Sequence, residues 1–502
     1  MTSYEEISNP EMALATKVSE QQPLINSIPL LTSAIKPEPL ILSNEASKRK
    51  ENLQATLKSK NGKKNKIWIE AYGCSASKAD SEMIMGQLKN CGYDIATCKE
   101  ESSLNLIVTC SVKDATEHKM LFRINRLASL GKPIIVAGCL PKADKNKIES
   151  LFPYASLLGP NSIDKTIDVV NSGIAGQKMV ALEDSPSDKV NVPKIRINSV
   201  IGIVEIASGC LSECSFCQTK IAKGSIRSYR IGDILRQIRH DISEGCKEIW
   251  LTSTDNGCYG KDIGSNLVEL LRSCCQINGN YKIRVGMMNP MHLCGMTQEL
   301  LEVYVGNDKI FKFLHIPVQS GSDRILRKMK RGHTIKIYRD LVKAFRSKIP
   351  EMTIATDIIV GFPSETDDDF EKTLTLIKET EPDIINSSKY SPRANTAAAK
   401  LRQLSSDIIK KRSKKLHLLA KEISMKRNSI WKGWKGKIII DETVNSNTMQ
   451  GRNYAYKPVL VTSSTRSSRY SLTSRHNYIL GSEITTQIQS YSNYSLRGVP
   501  FG

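Results

Sequence analysis

Gly209-Cys210-Leu211-Ser212-Glu213-Cys214-Ser215-Phe216-Cys217 decides how the centre of this chain is read. Its cysteines follow the spacing C-x3-C-x2-C, directly after the apolar run Ile201–Ala207, which reads as a strand. Three thiolates on one short loop can each hold one iron of a cubane cluster, and such clusters normally take four. With three, one iron keeps an exchangeable position. The amino and carboxylate groups of S-adenosylmethionine (SAM) can chelate it, and an electron from the cluster can then cleave a carbon–sulfur bond. Structural zinc sites usually supply four ligands, often as two paired knuckles, and no second pair follows here.

Short apolar stretches recur around the loop: Ile201–Ala207, Glu248–Thr252, Ile283–Met287, Phe311–Val318, Thr353–Val360 and Ile384–Tyr390. Helical patterns alternate with them, among them Asp233–Ser243, Leu267–Cys275, Ile335–Ser347 and Asp367–Thr380. Asp367, Asp368 and Asp369 crowd the first turn of the last, where the helix dipole favours negative charge. Six βα repeats predict an open, TIM-like partial barrel, (β/α)6, with its active edge at the carboxyl ends of the strands.

Upstream, a separate unit reads strand (Ile67–Tyr72), helix (Lys78–Asn90), strand (Leu104–Thr109), helix (Ala115–Leu130), strand (Pro133–Ala137). This alternation implies a parallel α/β sheet. Cys74, Cys110 and Cys139 each follow one of its strands, 36 and 29 residues apart. If those strands are neighbours, the three thiols converge on one carboxyl edge without any contiguous motif. Taken alone they also read as small buried hydrophobes; beside the loop they read as ligands of a second cluster. Cys91, Cys98, Cys246, Cys258, Cys274, Cys275 and Cys294 show no such pattern, although Cys258 falls at a strand's carboxyl end.

The 502 residues thus divide into a linker-like or disordered tail (1–65), an N-terminal domain (66–177), a core (196–428) and a small β-barrel (429–495). Pro23, Pro29, Pro37 and Pro39 punctuate the tail, and a polar linker, Glu183–Lys194, joins the first two folded units. The net charge is +21, and from Leu401 onward 18 Lys/Arg face 5 Asp/Glu. That imbalance suits a polyanion, RNA first, or else a solvated surface. A long basic helix, about Ser406–Trp431, leads into Lys432, Lys435 and Lys437 with Trp431 and Trp434. Those rings and cations suit either an RNA loop or a core with a charged rim. No run approaches the length of a membrane span, and Met1–Glu5 lacks the basic start of a secretory signal. The thirteen cysteines are therefore expected in a reducing, cytoplasmic interior, where spaced cysteines serve metals or catalysis more often than disulfides.

From Ile67 to Gly502 the chain resembles the methylthiotransferase family of radical-SAM enzymes, most of all the archaeal and eukaryotic tRNA threonylcarbamoyladenosine methylthiotransferases. The motifs that carry the resemblance are Glu70-Ala71-Tyr72-Gly73-Cys74, Thr109-Cys110-Ser111-Val112-Lys113-Asp114-Ala115-Thr116-Glu117 and Ala137-Gly138-Cys139-Leu140-Pro141. With them come the Cys210 loop, Leu251-Thr252-Ser253-Thr254-Asp255, Val285 to Pro290, His315 to Ser322 and Asp357 to Pro363. The chain departs from the family at Val108 and Ser77, where Asn is usual, and the match weakens past Thr462, in Ser463 to Arg475.

The resemblance implies an N-terminal methylthiotransferase domain, a radical-SAM core, a C-terminal TRAM domain that grips tRNA, and two 4Fe-4S clusters. It implies insertion of sulfur and a methyl group at C2 of a modified adenosine at tRNA position 37. One SAM would be the radical source and a second the methyl donor, with a flavodoxin- or ferredoxin-type reductant and a sulfur source as partners. Cys210, Cys214 and Cys217 would hold one cluster, and Cys74, Cys110 and Cys139 the other. Phe216 would lie near the SAM adenine, Asp255 would take its amino group or else cap a turn, and Gln319 and Ser320 would bond ribose or carboxylate. Gly361 would let backbone approach the adenine. His315 reads as structural, and radical chemistry requires no acid–base residue. The alternatives are methylthiolation of isopentenyladenosine in tRNA or of a ribosomal protein, and a non-enzymatic RNA-binding protein with structural clusters.

Overall fold

Lys66–Ala71 (β1), Asp94–Ile95 (β2), Leu104–Thr109 (β3), Ile134–Gly138 (β4), Ser156–Leu158 (β5) and Val180–Ala181 (β6) form one sheet in the order β2-β1-β3-β4-β5-β6. Every pairing in it is parallel. They belong to a computed structural model that describes residues 65–112, 114–462 and 479–501. The expected tail up to residue 64, Lys113, and the Ser/Arg stretch from Ser463 lie outside these residues.

Every residue of β3 and β4 is buried, as parallel strands covered on both faces require. Alternate side chains serve opposite layers. Leu104, Leu106 and Val108 meet Met83, Ile84 and Leu88 of helix Ser75–Asn90. Ile107 and Val136 meet Met120, Ile124 and Leu127 of helix Asp114–Ala128. β2, β5 and β6 are two or three residues long and carry no readable alternation. The sheet thus runs to Ala181, past the boundary expected at 177.

The core begins with Ile201–Glu205 (β7) and a short antiparallel pair, Ala207–Ser208 (β8) with Arg227–Ser228 (β9). Glu248–Thr252 (β10), Lys282–Val285 (β11), Phe313–His315 (β12), Thr353–Val360 (β13) and Ile384–Lys389 (β14) follow. They form two parallel runs, β11-β10-β7 and β12-β13-β14, linked by the isolated bridge between Ile283 and Ile310. β12 is three residues long where eight were expected, Phe311–Val318. Pro317 has no amide hydrogen to give the ladder, and Gln319 turns to φ 73° before it bridges Ile358. The helix Asp367–Thr380 starts in a capping box, Thr366 and Asp369 each bonding the other's backbone N–H, which is worth about 1 kcal/mol.

Lys435–Asn445 (β15), Thr448–Arg452 (β16), Pro458–Thr462 (β17), Glu483–Tyr491 (β18) and Leu496–Pro500 (β19) close a barrel in the order β15-β16-β17-β19-β18. It runs five residues past the expected end at 495. Trp431, 1% exposed, fills its core with Ile440, Val459 and Leu496, so this ring is not offered to RNA. The barrel is bolted to the core. Lys457 Nζ donates to Asp383 Oδ1 (2.9 Å) and Asn428 Oδ1 (2.8 Å), and Asp383 also pairs with Arg346 (3.0 Å) and Arg427 (3.2 Å). The Arg284 guanidinium lies 5.0–5.4 Å from the rings of Trp250, Phe313 and Tyr456. Among the described residues no helix is long and apolar enough to cross a membrane.

Candidate active site

Register assembles the first group of thiols. β1, β3 and β4 are neighbours, and Thr109 is paired with Gly138. Cys110 and Cys139 therefore leave the sheet one residue past the same rung. Cys74 caps helix Ser75–Asn90 three residues beyond the Ala71–Val108 rung. Cys110 and Cys139 are buried and Cys74 is exposed. Gly73 sits at φ 110°, and a Cβ there would lie 2.3 Å from Cys110 Cβ and 2.8 Å from its sulfur. Only a residue without a side chain lets the two strand ends come so close. Hydrogen bonding from the Cys110 thiol holds Cys74 well below the usual thiol range, and the Lys223 cation acts in the same sense. Burial pushes Cys139 up to about 12.

The second group is fixed by its loop. Gly209, at φ 75°, has the Ser225 carbonyl oxygen 1.9 Å from where a Cβ would stand. Cys210 N donates to Gly224 O (3.2 Å), while Lys220 Nζ donates to Cys210 O (2.6 Å) and pairs with Glu213 (3.0 Å). Ser215 N donates to Met329 O (3.0 Å), and Ser215 O accepts from Ala398 N (2.8 Å). Arg331 Nη1 reaches Cys214 Sγ at 3.3 Å. Hydrogen bonding from Cys258 lowers Cys210 to about 7, and burial raises Cys217 to about 11. Cys210, Asp255 and Cys258 place their ligand atoms within 4.8 Å of one another. Cys258, which the sequence left unassigned, thus borders the loop.

The remaining sequence-marked residues surround this mouth in different ways. Asp255 Oδ1 accepts from Gly257 N and Asn289 N (both 3.0 Å), a turn cap, while Oδ2 has His292 Nε2 at 3.6 Å. Phe216 packs edge-on against Phe362, centroids 6.4 Å apart. Gln319 N donates to Asp357 O (2.8 Å), and Ser320 Oγ accepts from Ser322 N (3.2 Å). Gly361 N donates to Glu365 Oε2 (2.9 Å), and a Cβ there would lie 2.5 Å from Ile409 Cγ1. His315 Nε2 lies 3.1 Å from Asp357 Oδ1, in keeping with a structural role. Ser253 Oγ, Thr254 Oγ1 and Gln218 Oε1 are buried with no hydrogen-bond partner among the described residues. Buried polar atoms are rarely left so. Three of them beside a three-thiol loop fit a polar ligand such as SAM. Sequence reading named the motif holding Ser253 and Thr254 and gave none of the three a role.

The elements that carry the two groups of thiols are in contact. Ser75, next to Cys74, shares a 2.6 Å hydrogen bond with Thr252 at the carboxyl end of β10. Helix Gln218–Lys223 starts at Cys217, and its Ala222 packs on Cys139 and Ala143. Lys223 ends that helix, buried, with its Nζ 2.7 Å from Glu205; Lys189 joins Glu205 (3.1 Å) to Asp80 (2.7 Å). On another side Glu117 pairs with Lys147 (2.5 Å) and with Arg393 of the core. Each group offers three thiols and an adjacent cation, Lys223 or Arg331. Three thiolates are the donor set of a cubane with one open iron, so the residues present fit the cluster at both places.

Comparison with known proteins follows the same division. The model of the radical SAM superfamily matches residues 204–377, and that of Uncharacterized protein family UPF0004 matches residues 66–159. The chain is 40% identical over 399 residues to a Pyrococcus horikoshii protein named "Probable threonylcarbamoyladenosine tRNA methylthiotransferase", covering 79% of this chain and 93% of that one. It is 35% identical over 405 residues to the Homo sapiens "Threonylcarbamoyladenosine tRNA methylthiotransferase", covering 79% and 69%. Among solved structures, a radical S-adenosylmethionine methyltransferase from Kitasatospora setae, with cobalamin and a 4Fe-4S cluster bound, aligns at a TM-score of 0.50 and 12% identity. That alignment covers 66% of this chain and 76% of the other, and what the two share is the fold.

Proposed function

The chain belongs to the threonylcarbamoyladenosine tRNA methylthiotransferase family, and on that premise we propose that it adds a methylthio group at C2 of N6-threonylcarbamoyladenosine 37 in tRNA. One observation supports the reading: the elements that carry the two three-thiol groups are in contact, through the Ser75–Thr252 hydrogen bond and through helix Gln218–Lys223, whose Ala222 packs on Cys139. Cys210, Cys214 and Cys217 hold the SAM-cleaving cluster, and Cys74, Cys110 and Cys139 hold a second. When bound, the first supplies the electron that cleaves SAM, and the second carries the sulfur to be transferred and methylated.

The chain's own part is positional. Lys220 and the Ser215 bonds fix the loop, so its three thiols keep one spacing. Arg331 and Lys223 each set a buried positive charge against one thiol group, which favours the thiolate form and extra negative charge there. Ser253, Thr254 and Gln218 give SAM polar partners. Phe216, Asp255, Gln319, Ser320 and Gly361 are further proposed SAM contacts; of these, Asp255 has one carboxylate oxygen committed to two N–H donors and the other turned to His292. A flavodoxin- or ferredoxin-type reductant and a sulfur donor complete the proposed system.

Expression in a strain lacking this modification, followed by nucleoside mass spectrometry, tests the reading. Wild type should yield 2-methylthio-threonylcarbamoyladenosine, and Cys110→Ala should yield none. A methylthio group on isopentenyladenosine would move the substrate. An iron-loaded protein that changes no tRNA nucleoside would leave a ribosomal-protein substrate or an RNA-binding role.

A further inference from the structure

Helix Ser406–Ser429 spans the distance between the loop edge of the core and the barrel. Its 24 residues make it about 36 Å long at 1.5 Å per residue. At its start Ile409 lies against Gly361, and just upstream Ala398 N bonds Ser215 O of the cysteine loop. At its end Asn428 Nδ2 donates to Ser492 O of the barrel (2.8 Å).

One face, with Arg412, Leu416, Ile423 and Asn428, is buried. Lys411, Lys414, Leu418 and Lys421 follow one another at i, i+3, i+7 and i+10 and form an exposed stripe on the opposite face. Leu418 is 59% exposed, and nothing among the described residues covers it. Elsewhere on the helix lysines have acidic partners: Lys410 with Asp407, Lys415 with Glu371, Lys426 with Glu381. Lys411, Lys414 and Lys421 make no ion pair among the described residues. Lys411 lies in the field of Asp367, but that carboxylate already bridges Arg412 at 2.7 Å. Exposed Lys400 and Arg402 prolong the positive charge toward the cysteine loop. Two exposed carboxylates share this side, Asp407, which pairs with Lys410, and Glu422. Lys411 and Lys414, three residues apart, repel one another at a cost of some tenths of a kcal/mol, which a polyanion would remove.

We propose that this stripe is the track on which the phosphate backbone of the substrate tRNA lies between the catalytic mouth and the barrel. The inference rests on the tRNA reading above and adds the surface. Its occupant is RNA because the surface is a line of unpaired cations joining the reacting edge to the C-terminal barrel. Each lysine would contact one phosphate as a point charge.

The test uses the cluster-loaded full chain and a fluorescently labelled tRNA carrying N6-threonylcarbamoyladenosine, with anisotropy titrations from about 50 to 200 mM salt. Three proteins are compared: wild type, Lys411→Ala/Lys414→Ala/Lys421→Ala, and a control with Lys336→Ala/Lys343→Ala/Lys348→Ala on another exposed helix face. The stripe variant should bind about 10-fold or more weakly, and its plot of log K against log salt should be shallower by about 2–3, near 0.7–0.9 per lost phosphate contact. The control should keep the wild-type slope. SAM cleavage without tRNA should stay within about twofold in all three, which also reports folding. A stripe variant with the wild-type slope, or a control that loses as much, overturns the proposal and leaves the enzymatic reading standing. Failure of the wild type to bind tRNA removes the enzymatic reading itself.

Discussion

Two three-thiol groups in one molecule are built on opposite plans. Cys210, Cys214 and Cys217 fall within eight residues, and local hydrogen bonds hold their loop. Cys74, Cys110 and Cys139 are spread over three strands, and the register of β1, β3 and β4 brings them together. A loop site can be carried from fold to fold as a unit. An edge site exists only when the whole sheet has formed, so under the proposed function its metal binding would be coupled to the folding of that domain.

Exchanging damage between the two groups is the most forceful way to break this contrast. Cys214→Ala should abolish reductive formation of 5′-deoxyadenosine from SAM, whereas Cys139→Ala should preserve it and abolish only the methylthio product. Each variant should retain about half of the wild-type iron, since each group would hold one four-iron cluster. Chromatography of the nucleoside products and iron analysis separate these outcomes; loss of SAM cleavage in Cys139→Ala would show that the groups do not work independently.

Glycine substitutions sharpen the comparison without removing a ligand. Gly73→Ala drives a methyl into Cys110 and should cost the edge site its iron, and Gly209→Ala drives one into Ser225 and should cost the loop site. Each should lower iron by close to half, with SAM cleavage surviving only in Gly73→Ala. Equal loss at both sites in either variant would mean that the two halves fold as one unit.

Glu117→Ala tests the joint between the halves. It removes the carboxylate that Arg393 and Lys147 share, and losing a hydrogen bond to a charged group costs about 1.5–3 kcal/mol. A shift of that size in the denaturant midpoint, with the N-terminal half unfolding first, is the expected result. The smallest effects belong to the cations. Lys223→Met should lower the midpoint potential of the edge cluster and Arg331→Met that of the loop cluster, by tens of millivolts, read by redox-poised electron paramagnetic resonance. Because Lys223→Met also leaves Glu205 with Lys189 alone, the Lys223→Met/Glu205→Gln pair serves as the folded control. A potential unmoved in both variants would reduce Lys223 to packing.

What the sequence disclosed follows from the same contrast. The loop triad was readable from spacing alone, because the chemistry needs neighbours in sequence. The edge triad was readable only through the βα alternation, and its decisive fact, that β1, β3 and β4 are adjacent, is a matter of strand order. Long strands and the capped helix Asp367–Thr380 were legible because their periods and caps are local. β2, β5 and β6 were not, being too short to show a period, and β12 was overextended because Pro317 and the turn at Gln319 interrupt an apolar run. Cys258 showed only that it falls at a strand's carboxyl end, and the stranded hydroxyls of Ser253 and Thr254 had no sequence signal beyond their motif, since tertiary packing alone makes them neighbours or orphans.

The buried charges under the barrel carry one more consequence. Asp383 receives Lys457 from the barrel and Arg346 and Arg427 from the core, and Arg284 sits beneath Tyr456. A barrel clamped in this way is a gauge. An RNA seated on it would present its reacting base at one fixed reach, and a stem longer or shorter by a base pair would overshoot or fall short of the mouth. Under the proposed function, selectivity among tRNAs would then be partly a measurement of length, set by the rigidity of a joint that never touches the base.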